Sequence, residues 1–203
     1  MNKALVLLSG GLDSSTLVFH LLSKGYSVQG FFVDYGQTMA LAEKRAAQHV
    51  SSAAKIDLKC VNAPLDDSLR SGCLFDDHPS NWTSNFISFL PQRNLFLLTL
   101  ASMYAQNNNI KDIYIGVITI DGEPFPDTTK VFLDTAQKAL QLSYPLLHIK
   151  YPFLKMSKTA VASLAIHLKV PVDATYSCEM STDHHCMQCP SCIDRYWALN
   201  NNR

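Results

Sequence analysis

The run Ser9-Gly10-Gly11-Leu12-Asp13-Ser14-Ser15 constrains this chain more than any other. It follows an apolar stretch, Ala4 to Leu8, that reads as a buried strand. It precedes Thr16-Leu17-Val18-Phe19-His20-Leu21-Leu22, which reads as a helix ending near Gly25. A strand, a glycine turn and a helix N-terminus together make an anion cradle. Unpaired backbone N–H groups and the positive end of the helix dipole converge on one spot. Gly10 and Gly11 let the backbone approach a ligand and adopt positive φ. The hydroxyls of Ser9, Ser14 and Ser15 add donors. No lysine follows, so this is not the Walker-type loop. The plainer reading is a tight turn capped by Asp13, with no ligand.

The rest of the chain alternates in the same manner. Val28–Asp34 is a second apolar run, ending in a carboxylate, and Met39 to Ala54 reads as a helix. Asp57–Val61 reads as a short strand, Leu95 to Gln106 as a helix and Ile113–Gly116 as a strand. Asp127 to Leu142 reads as a helix, Leu147–Tyr151 as a strand, and Ser157 to Leu168 as a helix with Ser157 as N-cap. Pro64 to Pro91 is polar and irregular, of a length usually reserved for functional segments. Repeated strand–helix units predict an α/β fold, a parallel sheet with helices on both faces. Ligands of such folds bind beyond the carboxyl ends of the strands. Ser9, Asp34 and Gly116 all stand at predicted strand ends, on one rim.

With 203 residues the chain reads as one domain, residues 1–203, large enough for a substantial core. The 17 basic and 17 acidic residues cancel and form no basic block, which argues against nucleic-acid steering. No apolar stretch approaches the ~18 residues of a membrane span, and no signal peptide is visible, so a cytoplasmic location is expected. A hydrophobic content of 47% suggests a subunit interface.

In that compartment, cysteines serve as thiols or metal ligands rather than disulfides. Cys186, Cys189 and Cys192 form a C-x-x-C-x-x-C run, with Cys178 upstream, in a segment of about residues 175–195. Four thiolates suit tetrahedral Zn²⁺ in a closed structural site, an expected contribution on the order of 10 kcal/mol to folding. An iron–sulfur cluster is the rival reading. His184 and His185 adjoin the run and offer alternative ligands. Cys60 reads as core, and Cys73 has no assigned role.

The S-G-G-x-D-S run resembles the PP-loop of the ATP pyrophosphatases. In order along the chain follow Asp34-Tyr35-Gly36-Gln37, Pro91-Gln92-Arg93-Asn94, Pro126-Asp127, Lys158 and the four cysteines. This set is similar to the 7-cyano-7-deazaguanine synthases of the queuosine pathway, the QueC family, over nearly the whole chain. The resemblance implies an adenine nucleotide α-hydrolase-like fold, ATP and Mg²⁺, a structural zinc knot and a homodimer. It implies conversion of 7-carboxy-7-deazaguanine and ammonia to the nitrile. The acid would be adenylated and aminated to the amide, and the amide oxygen adenylated in turn. By the same resemblance, Leu8, Ser9, Gly10, Gly11, Leu12, Asp13, Ser14, Ser15, Asp34 and Gly116 would hold ATP. Tyr35, Gln37, Arg93, Asn94 and Asp127 would hold the acid. Asp13, Arg93, Asp127 and Lys158 would carry the chemistry. Asp13 would position metal or ligand, and Asp34 would meet ribose, metal or substrate. Arg93 would clamp a carboxylate or phosphate, with Asn94 capping the following helix. Asp127 would accept from a guanine-like edge or the incoming amine, and Lys158 would stabilise the leaving phosphate. The plainer alternatives are an Asx turn at Asp34, a surface salt bridge at Arg93, an N-cap at Asp127 and a solvated Lys158.

The chain departs from that family on the acceptor side. Gln92 stands where the family usually has glycine, Thr119 where an acidic residue is common, and Thr129 where an arginine is usual. Glu179 replaces the tyrosine that usually follows the first cysteine of the knot. These changes admit a second reading. In it a deazaguanine acid is adenylated and passed to another amine, such as a protein acceptor in an anti-phage system.

Overall fold

The computed structural model describes residues 2–72, 74–75, 89–118 and 125–201. Cys73, Thr119 and residues 76–88 of the Pro64–Pro91 segment lie outside the described residues. Among the described residues, five strands, β1 (Lys3–Leu7), β2 (Ser27–Asp34), β3 (Leu58–Asn62), β4 (Asp112–Tyr114) and β5 (His148–Lys150), form one sheet. Their order is β3-β2-β1-β4-β5 and every pairing is parallel. Among the described residues, six α-helices connect or follow them: α1 (Leu12–Ser23), α2 (Ala40–Ala54), α3 (Arg93–Asn107), α4 (Lys130–Gln141), α5 (Lys158–His167) and α6 (Pro190–Asn200).

The two-residue period of the strands explains the layering. Leu5, Leu7, Phe31, Val33 and Ile113 point to one face, where they meet Leu98 and Ala101 of α3 and Leu133 of α4. Ala4, Val6, Phe32 and Tyr114 point to the other, against Leu17 and Val18 of α1, Val50 of α2 and Val161 of α5. Helices therefore cover both faces, as the alternation predicts. Strand order reverses beside β1, because the chain runs outward first through β2 and β3 and later through β4 and β5. That reversal opens a crevice at the carboxyl ends of β1 and β4.

Helices α1, α4 and α6 depart most from the sequence expectation. Helix α1 begins at Leu12, so Ser14 and Ser15 belong to its first turn rather than to a loop. Helix α4 begins at Lys130, because Thr129 is extended at φ −71° and ψ 153° and its Oγ1 accepts from Phe132 N. Asp127 lies before it, in a 3-10 turn, Pro126–Thr128. Helix α6 is unanticipated. Pro190 occupies its first turn, a position where the missing N–H is no loss. It docks through Ala198, which joins Leu12, Ala162 and Ala165 in a small cluster between α1, α5 and α6. Buried Arg195 ties it further, donating from Nη1 to Thr175 Oγ1 at 2.5 Å and from Nη2 to the Val172 carbonyl. No helix among the described residues is long and apolar enough to cross a membrane.

Candidate active site and metal centre

The turn between β1 and α1 is shaped by glycine. Gly10 adopts φ +84°, and a Cβ there would lie 2.6 Å from the Glu43 carbonyl oxygen and 2.8 Å from Ala47 N of α2. Only glycine lets the two helices approach so closely at positive φ. Gly11 caps α1 without a side-chain bond, which leaves the first-turn N–H groups to a ligand. Around them, Ser9 Oγ lies 3.1 Å from Ser14 Oγ, and Ser14 Oγ donates to the Gly11 carbonyl at 3.2 Å. Ser15 Oγ is buried with no hydrogen-bond partner among the described residues. Gly116, just past β4, backs onto this turn; a Cβ there would sit 3.1 Å from Ser14 N. A larger residue would crowd that N–H.

Lys158 opens α5, which Ser157 caps through Ala160 N. Its Nζ reaches Asp13 Oδ2 at 2.7 Å, with each side chain about one-fifth exposed, at 22% and 20%. A lysine in the first turn of a helix opposes the dipole, and the carboxylate across the turn offsets that. Asp13 Oδ1 is buried and lacks a hydrogen-bond partner among the described residues. The structure thus brings together two residues that the sequence separates by 145 positions.

Beyond β2 stands a polar wall. Asp34 Oδ1 accepts from Gly36 N at 3.1 Å, which is the Asx turn. Gln37 is buried: its Oε1 accepts from Tyr35 N at 2.9 Å and its Nε2 donates to Glu43 Oε2 at 2.8 Å. Burial pushes the Glu43 carboxyl above its usual range, with Gln37 and Arg93 pulling the other way. Burial also pushes the Tyr35 hydroxyl up to about 12, against the pull of the Arg93 guanidinium to which it bonds. Burial pulls the Arg93 pKa down, but Tyr35, Asp127 and Glu43 around it outweigh that and hold it above the ordinary value. Arg93 is therefore a partly buried cation set among Tyr35, Glu43 and Asp127 rather than a surface salt bridge.

Asp127 and Asn94 form one unit. Asp127 Oδ2 accepts from Asn94 N at 3.0 Å, and the Asp127 carbonyl accepts from Asn94 Nδ2 at 3.1 Å. The cap on α3 is thus supplied across the cleft by Asp127, whereas Asn94 lies inside the helix. Asp127 Oδ1 is buried and, among the described residues, has no hydrogen-bond partner.

Two hollows flank this wall. The first, of about 340 Å³, is lined by Leu7, Leu8, Phe31, Val33, Ile115 and Gly116 at the strand ends. The second, of about 300 Å³, is lined by Asp13, Lys158, Tyr176, Glu179 and Ser191. Ser9, Gln37, Glu43 and Arg93 border both. Glu43 is the member of this wall that sequence reading misses. It lies inside an ordinary amphipathic helix, and only the packing of α2 on Gly10 turns it toward the cleft.

The four cysteines converge. The Sγ atoms of Cys178, Cys186, Cys189 and Cys192 all lie within 4.8 Å of one another. Thiolate ligands at ~2.3 Å from one tetrahedral ion fit a cluster of that size. Backbone N–H groups aim at the sulfurs: Met180 and Cys186 at Cys178, and Gln188 and Cys189 at Cys186. Met187 takes φ +59° to make the turn between Cys186 and Cys189. Burial pushes the Cys178 thiol up, but its N–H donors outweigh that and bring it down to about 7. The two histidines are engaged elsewhere. His185 Nε2 accepts from Ser177 N at 3.3 Å, and His184 Nδ1 lies 3.3 Å from Ser181 Oγ. Tyr176 N donates to the Gly10 carbonyl at 2.9 Å and joins the centre to the glycine turn.

Comparison with known proteins follows the same lines. Residues 3–203 match the family described as "Queuosine biosynthesis protein QueC". A "7-cyano-7-deazaguanine synthase 1" from Desulfitobacterium hafniense is 33% identical over 204 residues, covering 98% of this chain and 91% of that protein. A "7-cyano-7-deazaguanine synthase" from Aquifex aeolicus is 35% identical over 210 residues, covering 96% and 95%. Among solved structures, a 4-thiouridine synthetase in complex with RNA and ATP superposes with a TM-score of 0.57 at 16% identity. That match covers 98% of this chain and 53% of that one, and it bears on the fold alone.

Proposed function

The chain belongs to the QueC family, and from that premise we propose that it is an ATP-dependent carbon–nitrogen ligase acting on 7-carboxy-7-deazaguanine and ammonia. The observation that carries this reading is the junction of the two hollows at Ser9 and Arg93. The apolar hollow suits the adenine of ATP, and the hydroxyl-lined turn suits its phosphates. The polar hollow suits the acid, whose carboxylate would meet the α-phosphate beside Arg93.

A carboxylate resists ammonia because its carbon is shielded and its leaving group would be oxide. Attack of a carboxylate oxygen on the α-phosphorus releases pyrophosphate and makes an acyl adenylate. Ammonia then displaces AMP to give the amide, and repetition on the amide oxygen gives the nitrile. The residues here would orient these groups and neutralise developing charge. Arg93 would pair with the carboxylate or α-phosphate, and Lys158 with the departing pyrophosphate. The open Asp13 Oδ1 and the Ser15 hydroxyl would face the nucleotide and its Mg²⁺, whose role is to screen phosphate charge. The four-cysteine centre fits Zn²⁺ better than a cluster cofactor. Its four thiols, held within 4.8 Å of one another, supply a full tetrahedral ligand set, the mark of a structural ion.

Mass spectrometry of a reaction with purified protein, ATP, Mg²⁺, the acid and ammonium tests the reading. AMP with the nitrile is the expected outcome. AMP that accumulates only with a protein acceptor present would replace it with transfer to another amine.

A further inference from the structure

Glu179 is the acceptor-side departure that the structure makes informative. It lines the polar hollow with Asp13, Lys158 and Arg93. Its Oε1 accepts from Ser191 Oγ at 2.8 Å. Its Oε2 is buried and, among the described residues, has no hydrogen-bond partner. The backbone N–H of Glu179 is bonded to the Cys189 sulfur, so the four-cysteine centre sets where the carboxylate stands. Across the hollow it is close enough to act electrostatically on Glu43 and Tyr35.

A buried carboxylate oxygen without a donor is unfavourable unless a ligand brings one. Phosphate and carboxylate groups would be repelled there, and they have Lys158, Arg93 and the α1 N-terminus to go to. The reactant left is one that carries N–H bonds. A guanine-like edge offers two parallel donors and would draw on both carboxylate oxygens, whereas the bond from Ser191 Oγ already directs Oε1 away from such a pair and leaves Oε2 as the open acceptor. A single open oxygen matches a single N–H.

We propose that Glu179 is a specificity-determining residue that holds the nitrogen nucleophile, ammonia or a primary amine, through its open Oε2. This rests on the ligase reading above. In the step it serves, the nitrogen lone pair forms the C–N bond to the acyl carbon. The C–O bond to AMP breaks with its electron pair, AMP leaves as the phosphate anion, and one nitrogen proton passes to solvent.

The test uses the full chain with its metal, comparing the unaltered protein with Glu179→Gln and Glu179→Ala. The readouts are KM for ammonium, KM for the acid, ATP–pyrophosphate exchange without ammonium, and metal content. Glu179→Ala is expected to raise the ammonium KM at least tenfold and Glu179→Gln about fivefold, with exchange reduced less than threefold. An unchanged ammonium KM in Glu179→Gln, with metal retained, overturns the proposal. A rise confined to the acid KM also overturns it, since the base edge would then be the partner. Metal loss with a parallel decline of every parameter in both variants overturns it in favour of a structural role. Absence of AMP from the unaltered protein would overturn both this proposal and the ligase reading, whereas its presence with an unmoved KM overturns only the former.

Discussion

Glu43 shows how a single buried side chain can carry a cost to folding. Burial holds its carboxyl above the ordinary value of 4.5, so ionisation disfavours the folded state. The sign follows from linkage. Well below that value the group is protonated whether the chain is folded or not, and no cost arises. The cost appears as pH rises through the raised folded value, and it persists at neutrality. Glu43→Gln keeps an acceptor for Gln37 Nε2 and removes the charge. It should raise the urea midpoint at pH 7 and leave it nearly unchanged at pH 4, as chemical denaturation at the two pH values would measure. Gln92 carries a second local cost. It takes φ +63° just ahead of α3, a conformation about 1–2 kcal/mol unfavourable for a side chain with a Cβ. The glycine usual in this family at that place would avoid it.

At the scale of elements, the departures become intelligible as caps and wedges. Thr129 accepts from Phe132 N at 3.2 Å and starts α4, so the residue standing where arginine is usual has a structural task. Thr129→Ala should cost about 1 kcal/mol, and Thr129→Ser should recover most of it. Thermal unfolding would report both, with metal content unchanged. The strands and most helices were legible from apolar runs and their periods. The start of α4 was not, because Asp127 looks like an N-cap until its carboxylate is seen turned back onto Asn94 of α3. Helix α6 was hidden by the cysteines, whose spacing reads first as a metal knot. Pro190 followed by Cys192, Arg195 and Ala198 at helical intervals is the signal that could have disclosed it.

Across the whole molecule, the metal centre and the anion cradle are one assembly. Tyr176 bonds Gly10, and Tyr176, Cys178 and Glu179 form a wall of the polar hollow. Stripping the metal with a chelator should lower the unfolding temperature by roughly 10 °C or more. AMP formation should fall in parallel, and added Zn²⁺ should restore both. Loss of stability with full activity retained would separate the two sites. The loop of Ser9 to Ser15, the parallel α/β order and the four thiols were written in local residue types, because strands, turns and ligands each impose short-range patterns. The pairing of Lys158 with Asp13 and the ring of Tyr35, Glu43 and Asp127 about Arg93 were not so written. They arise where separate connections return the chain to one rim of the sheet. Nothing in a residue's neighbours along the chain records which distant side chain will balance its charge once both are buried.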